Sequence, residues 1–316
     1  MTFKERLNMC LNEMLAFRSA TGYATDTIRH YILNFIVFCT EQFPDAERIT
    51  QEMIDEWISI RYSDKTKQSV ISALRQYTHY LHFMGYDDYI PDDEYQYENS
   101  FFEPYLFTDD ELSQLFHAID NYTGKTSGKR HLPEIVLPVY ARLLYCCGLR
   151  PSEPMKIKTE DLDLNTGDLY IRESKHNKDR HIIMSSDMLN LCRRYDDIMP
   201  KREFFFQKWD GSQLKSMWFW ARWITILKAS GINWRGQPRP YDLRHAFATR
   251  NLIRWLNEKK NIMELIPYLS AYMGHATLSS TYYYIHLLPE KLRESCGIDW
   301  EKLNEIYGDG EFKNED

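Results

Sequence analysis

Apolar residues recur at helical spacing through most of the chain, and one stretch, residues 168–184, changes to a β-type rhythm. The rhythm confines the chain to packed helices with at most one small sheet, because a 3.6-residue repeat cannot keep its apolar face on one side of a strand. Leu7, Leu11, Met14 and Leu15 mark a first helix that breaks near Gly22. Ile28, Tyr31, Ile32, Phe35 and Phe38 mark a second from about Thr25. Met53, Ile54, Trp57 and Ile58 mark a third behind the N-cap candidate Thr50, and Val70, Leu74, Tyr77 and Leu81 a fourth that stops at Gly85. Residues 87–107 are acidic, hold Pro91 and Pro104 and lack helical periodicity, which reads as a linker. Behind it, Thr108-Asp109-Asp110-Glu111 has the form of a capping box, and an apolar helix over residues 132–147 closes at Gly148. In residues 168–184, Leu169-Tyr170-Ile171 and His181-Ile182-Ile183 are β-type runs about a basic turn, a hairpin pattern. Beyond Ser186 the pattern is helical to the end, interrupted near residues 231–240. A length of 316 residues suits two domains. The expected fold is mainly α: an all-helical N-terminal domain over residues 1–86, the linker, and over residues 108–316 a mostly helical α+β domain with a small antiparallel sheet.

Hydrophobic residues make up 43% of the chain, enough for two packed cores. No run approaches the roughly 20 apolar residues that span a bilayer, and the first ten residues lack a signal-peptide core. A cytoplasmic protein with no membrane partner is therefore expected. The six cysteines form no Cys-x-x-Cys pair and no zinc-spaced cluster with histidine, so reduced thiols and no metal are expected. The net charge of -7 lacks the basic footprint usual for a nucleic-acid binder. Much of the acid lies within residues 87–111 and 309–316, and basic clusters remain elsewhere, so charge neither excludes nor supports a DNA partner.

Four segments concentrate residues able to do chemistry. They are Cys147-Gly148-Leu149-Arg150-Pro151-Ser152-Glu153; the hairpin turn with Lys175 and Lys178; Tyr241-Asp242-Leu243-Arg244-His245; and Met273-Gly274-His275, followed by Tyr282-Tyr283-Tyr284. Each alone has an ordinary structural reading: a surface arginine after a helix stop, a solvated turn, a polar helix face, a cap, a packed aromatic run. Together and in this order they resemble the tyrosine recombinase (phage integrase) family. Its pattern is an arginine in a Gly-Leu-Arg-x-Ser-Glu type segment, a hairpin lysine, a His-x-x-Arg-His block, a Gly-His pair and a tyrosine nine residues after that histidine. Arg150, Lys175, Arg244 with His245, His275 and Tyr284 occupy those positions. The departure is Tyr241, where the family pattern has the first histidine of its block. A phenol can donate to a phosphate oxygen but does not shuttle protons near neutrality as imidazole does. The N-terminal helices resemble, less specifically, the family's core-binding domain, and a compact Xer-like or transposon-type member is expected.

The resemblance implies attack of a tyrosine oxygen on a DNA phosphodiester, leaving a 3′-phosphotyrosyl link and needing no cofactor, metal or small-molecule substrate. Arg150 and Arg244 would grip the non-bridging oxygens, which planar guanidiniums match bidentately. His275 would add a hydrogen bond, and Tyr241 would stand beside them. Lys175 would protonate the leaving 5′-oxygen, with Lys178 as its rival. Tyr284 would be the nucleophile, with Tyr283 as its rival. Glu153 would orient an arginine or His245, Asp242 would be structural, and Arg180 would touch the DNA backbone. Implied partners are double-stranded recombination sites and three further protomers in a homotetramer on DNA. Arg29, Arg61, Lys65, Lys67 and Arg75 of the first domain and Arg239 of the second are candidate phosphate contacts, with Arg222, Lys228 and Arg235 as further ones. Trp300, Leu303 and Ile306 form an apolar stripe that could dock on a neighbour or pack at home. Two alternatives stand beside a recombinase: a type IB topoisomerase-like or telomere-resolving enzyme, and a catalytically silent DNA-binding or architectural protein.

Overall fold

In a computed structural model the chain divides into two compact units, Met1–Phe102 and Glu103–Asp316. The structure describes residues 1–61, 64–92, 104–123, 132–174 and 178–288, with their side chains except at 61, 64, 65, 173, 174, 178, 216 and 286.

The first unit contains helices α1 (Phe3–Ala20), α2 (Asp26–Gln42), α3 (Gln51–Arg61) and α4 (Asp64–Phe83). The Thr2 hydroxyl accepts the Glu5 N–H while the Glu5 carboxylate accepts the Thr2 N–H, a reciprocal cap that starts α1. Leu7, Leu11, Ile32, Phe35, Trp57, Leu74 and Tyr77 are buried in one core, as their helical spacing requires. The segment after α4 differs from the linker expected from residue 87. Tyr86 and Tyr89 pack on this core. Arg6, itself buried, donates to both oxygens of buried Asp88, at 2.5 and 2.9 Å. Asp88 also accepts the Ile49 N–H at 2.7 Å. A guanidinium this buried requires a carboxylate partner, so the sequence here is anchored by charge pairing although it lacks any periodicity.

The second unit contains α5 (Asp109–Asp120), α6 (Leu132–Cys147), two 3-10 turns (Pro154–Lys156 and Thr159–Asp161), strands β1 (Asp168–Ser174) and β2 (Lys178–Ile183), α7 (Ser186–Ile198), α8 (Ser216–Ala229), α9 (Asp242–Asn257), α10 (Ile262–Met273) and α11 (Ser279–His286). The capping box at Thr108 and Glu111 starts α5 as read from the sequence. Helix α6 is apolar on most sides and packs against α5, α7 and α9. The hairpin pairs antiparallel, with Leu169 opposite Ile182 and Ile171 opposite Arg180. Residues 199–215 are not helical, contrary to the pattern read beyond Ser186. Pro200 follows directly on α7, Phe205 and Phe206 fill the core from irregular chain, and Phe204 bridges to Lys158.

Asp88→Ala would leave the Arg6 guanidinium buried without a counter-charge, at a cost of about 3 kcal/mol or more. The expected result is a lowered urea midpoint for unfolding of the first unit, followed by circular dichroism. An unchanged midpoint would contradict the anchoring role given to Asp88.

Candidate active site

Two helices of the second unit end at glycines in the left-handed region, α6 at Gly148 (φ 61°) and α10 at Gly274 (φ 68°). Both positions are crowded as well as left-handed. A Cβ on Gly148 would lie 2.4 Å from the Phe247 ring, and one on Gly274 would lie 2.9 Å from Arg180 Nη1. The terminal carbonyls of these helices carry the partial negative end of the backbone dipole, and three arginines cap them. Arg180 Nε donates to Tyr272 O at 2.9 Å, Arg244 Nη2 to Met273 O at 2.9 Å and Arg150 Nη2 to Gly274 O at 2.8 Å. Arg244 Nη1 reaches across to Gly148 O at 2.5 Å. Three guanidiniums are thus gathered on consecutive carbonyls of one helix end. Arg244 has 0% exposure, and Arg150 and Arg180 have 8% each.

Glu153 is the carboxylate inside this cluster. Its two oxygens accept both terminal nitrogens of Arg180 at 2.8 Å, the Arg150 N–H at 2.8 Å and Arg150 Nη1 at 3.1 Å. Burial alone would raise its pKa, but the Arg180 hydrogen bonds and the charges of Arg180, Arg244 and Arg150 hold it down to about 2. One carboxylate against three guanidiniums leaves positive charge concentrated in a largely dry place, an arrangement suited to an anion.

His275 follows Gly274 directly. Its Nδ1 shares a 2.7 Å hydrogen bond with the Thr281 hydroxyl, and its ring stacks on Tyr284 with centroids 5.9 Å apart and planes 19° apart. Burial first, then Arg244, Arg150, Arg180 and His245, lower its pKa to about 2, so the imidazole is neutral. His245 is also in ring contact with Tyr284, with centroids 5.5 Å apart and planes 54° apart, and lies 6.4 Å from Tyr283. Tyr282, Tyr283 and Tyr284 are all buried, and among the described ring contacts only Tyr284 meets His275. Tyr241 precedes α9, one turn before His245, and its ring lies 6.0 Å from the Arg244 guanidinium carbon. A cavity of about 350 Å³ opens beside Arg180, Gly274, His275 and Thr277.

The structure therefore brings together Arg150, Glu153, Tyr241, Arg244, His245, His275 and Tyr284. Arg180 requires a correction. It was expected on the DNA backbone, but it is buried in the ion-pair cluster. The signal was present in the sequence: Arg180 has the same strand parity as Ile182, and its cross-strand partner is Ile171, so it faces inward. The carbonyl clamp and Thr281 have no sequence signature. Asp242 accepts the Arg239 N–H at 2.6 Å and is fully buried at the start of α9, and Arg239 lies against it. In the first unit Arg29 is exposed and Lys67 half-buried, while Arg75 donates to the carbonyls of Pro91 and Asp92. Lys175, Trp300, Leu303 and Ile306 lie outside the described residues, as do the side chains of Arg61, Lys65 and Lys178. Among the described residues no group of His, Cys, Asp or Glu is placed to hold a metal ion, and no helix is long and apolar enough to cross a membrane.

The two depressed imidazoles set a pH dependence. A histidine with an unfolded pKa of about 6.5 takes up a proton on unfolding wherever the folded ring remains neutral. For His245 and His275 that window runs from about pH 6.5 down to their folded values of about 3 and about 2. Stability is full above the window and falls as pH drops through it, and Glu153 adds to the loss below about pH 4.5. Acidification from pH 7 to pH 5 should cost about 4 kcal/mol from the two rings together, read by urea unfolding of the DNA-free protein. A midpoint that is flat over this range would refute the placement of the rings.

Residues 106–291 match the phage integrase family. Over 188 residues the chain is 30% identical to y4rE of Sinorhizobium fredii, which bears an integrase/recombinase name. That match covers 58% of this chain and 59% of y4rE. It is 28% identical over 306 residues to tyrosine recombinase XerA of Pyrococcus horikoshii, covering 93% of this chain and 94% of that one. Among solved structures, the site-specific recombinase XerH bound to its difH substrate aligns with a TM-score of 0.61 at 20% identity, over 88% of this chain and 80% of that one. That likeness concerns the fold: mostly helical, with one small antiparallel sheet. The motif residues that the structure describes sit in one cluster and the matched model spans more than half the chain, so the protein belongs to the phage integrase family of tyrosine recombinases.

Proposed function

We propose that this chain is a site-specific recombinase that cleaves and rejoins double-stranded DNA through a 3′-phosphotyrosyl link at Tyr284. The observation that carries the reading is the gathering of Arg150 and Arg244 at two helix ends, with Tyr284 stacked on His275 and in tilted ring contact with His245. A scissile phosphate fits that charge. In the pentacovalent transition state its non-bridging oxygens gain negative charge, and preorganised guanidiniums stabilise the gain more than they stabilise the ground state. With Nδ1 accepting from the Thr281 hydroxyl, neutral His275 carries its proton on Nε2 and can donate a further hydrogen bond from there. The phenol loses its proton to a basic group beside it as its oxygen forms the new bond to phosphorus, and the 5′-oxygen leaves with a proton from Lys175. The phosphoester energy is kept in the tyrosyl link, so the strand can be rejoined to a new partner without a nucleotide cofactor.

The relatives named as recombinases favour exchange between two sites over simple relaxation or silent binding. The chain is proposed to act as a homotetramer on paired sites, in the cytoplasm, in the service of a mobile element or in Xer-like resolution. The stripe of Trp300, Leu303 and Ile306 is proposed to dock on the neighbouring protomer.

The test uses a pool of nicked duplexes of random sequence, from which covalent adducts are recovered under denaturing conditions and the attached DNA is sequenced. Wild-type chain should yield adducts at a recurring sequence. Tyr284→Phe should yield none while still binding DNA, and Arg244→Ala should lower the cleavage rate by about 10²–10³. Adducts formed by Tyr284→Phe would overturn the assignment. Truncation before Asp299 should weaken multimeric complexes on the selected site but spare binding of one protomer. Unchanged multimers would count against docking in trans.

A further inference from the structure

His245 is 2% exposed, and among the described residues neither of its ring nitrogens has a hydrogen-bond partner. A buried polar group left unpaired costs about 1–3 kcal/mol, and such groups in native structures call for an explanation. The surroundings supply one. The ring centroid lies 5.5 Å from Tyr284, 6.4 Å from Tyr283 and 5.0 Å from Tyr241. The charged or titratable groups facing it are Arg244 and Arg239 near the start of α9, His275 after α10, and the three tyrosines. Burial, then Arg244 and Arg239, keep the ring uncharged. It therefore holds a vacant lone pair at every physiological pH. The other imidazole beside Tyr284 is engaged with Thr281. Tyr241 has no vacant basic nitrogen to offer.

We propose that His245 is the catalytic proton acceptor for the Tyr284 phenol. The proposal rests on Tyr284 being the nucleophile. In the step, the phenol O–H bond breaks and its proton passes to an imidazole nitrogen of His245. The phenol oxygen forms the bond to phosphorus, and the bond from phosphorus to the 5′-oxygen breaks with its electron pair going to that oxygen. The 5′-oxygen takes its proton from Lys175, and rejoining reverses each transfer. A bound phosphodiester brings negative charge against Arg244 and so offsets the repulsion that an imidazolium would meet there. Catalytic hydrogen bonds are commonly long in a free enzyme and tighten when substrate binds.

The test is single-turnover cleavage of a nicked duplex selected as above, by wild-type chain, His245→Asn and His245→Gln. At pH 7 both variants should cleave about 10²–10⁴ more slowly. The deficit should shrink as pH approaches the phenol pKa of about 10, where ionisation needs no acceptor. A 5′-bridging phosphorothiolate, whose leaving group needs no acid, should restore Lys175→Ala but neither His245 variant. A pH-independent deficit, no deficit, or rescue by the phosphorothiolate would overturn the proposal. A third arm leaves His245 in place, so that misfolding cannot mask the answer. In DNA complexes stalled by Lys175→Ala, the His245 ring nitrogen resonances should report a hydrogen bond that disappears on Tyr284→Phe. Identical resonances with and without the phenol would also overturn it. Absence of any wild-type adduct would instead count against the reading of Tyr284 itself.

Discussion

The ion-pair cluster about Glu153 is the interaction on which the site depends. One buried carboxylate holds Arg150 and Arg180, and the same two guanidiniums, with Arg244, cap three successive carbonyls at the end of α10. Guanidiniums remain charged under all relevant conditions, so each must find compensation when buried. Here compensation comes from one full negative charge and from helix dipoles. It is incomplete, and the remainder is available to an anionic substrate. Removal of Glu153 would therefore cost more than one hydrogen bond, since its loss would leave like charges facing each other.

The cluster also joins separate parts of the chain. Arg150 and Glu153 follow α6, Arg180 comes from β2, Arg244 from α9, and the accepting carbonyls from α10. Gly148 and Gly274 let those helices stop where their last carbonyls meet the arginines, and the crowding at each leaves no room for a side chain. Helix α11 then places Tyr284 in contact with two imidazoles. Burial first, and then the same positive charge that would grip a phosphate, hold both rings neutral, so they can donate hydrogen bonds and accept protons without adding charge of their own.

Arg180 shows how an arginine can mislead. A basic residue beside a basic turn reads as a surface contact, because local composition carries that meaning. Its burial follows from strand parity combined with the position of the α10 terminus, and the second of these is a tertiary fact. Residues 86–89 teach the same lesson in the first unit. Nothing in their spacing announces a core, yet Asp88 is buried because Arg6, far earlier in the chain, requires a counter-charge.

Local and short-range information was enough to determine the helices with clean apolar stripes, the capping box at Thr108, the hairpin, and each of the motifs that carry the family. Each of these depends on residues within a few positions of one another. Tertiary structure alone decided that residues 199–215 forgo helix to fill a core with Phe205 and Phe206, that Arg180 serves an ion pair, and that His245 lies beside Tyr284 with its nitrogens unpaired among the described residues. The physical reason is common to all three. Burial and charge compensation are settled by neighbours distant in sequence, and no local pattern encodes which distant group will arrive.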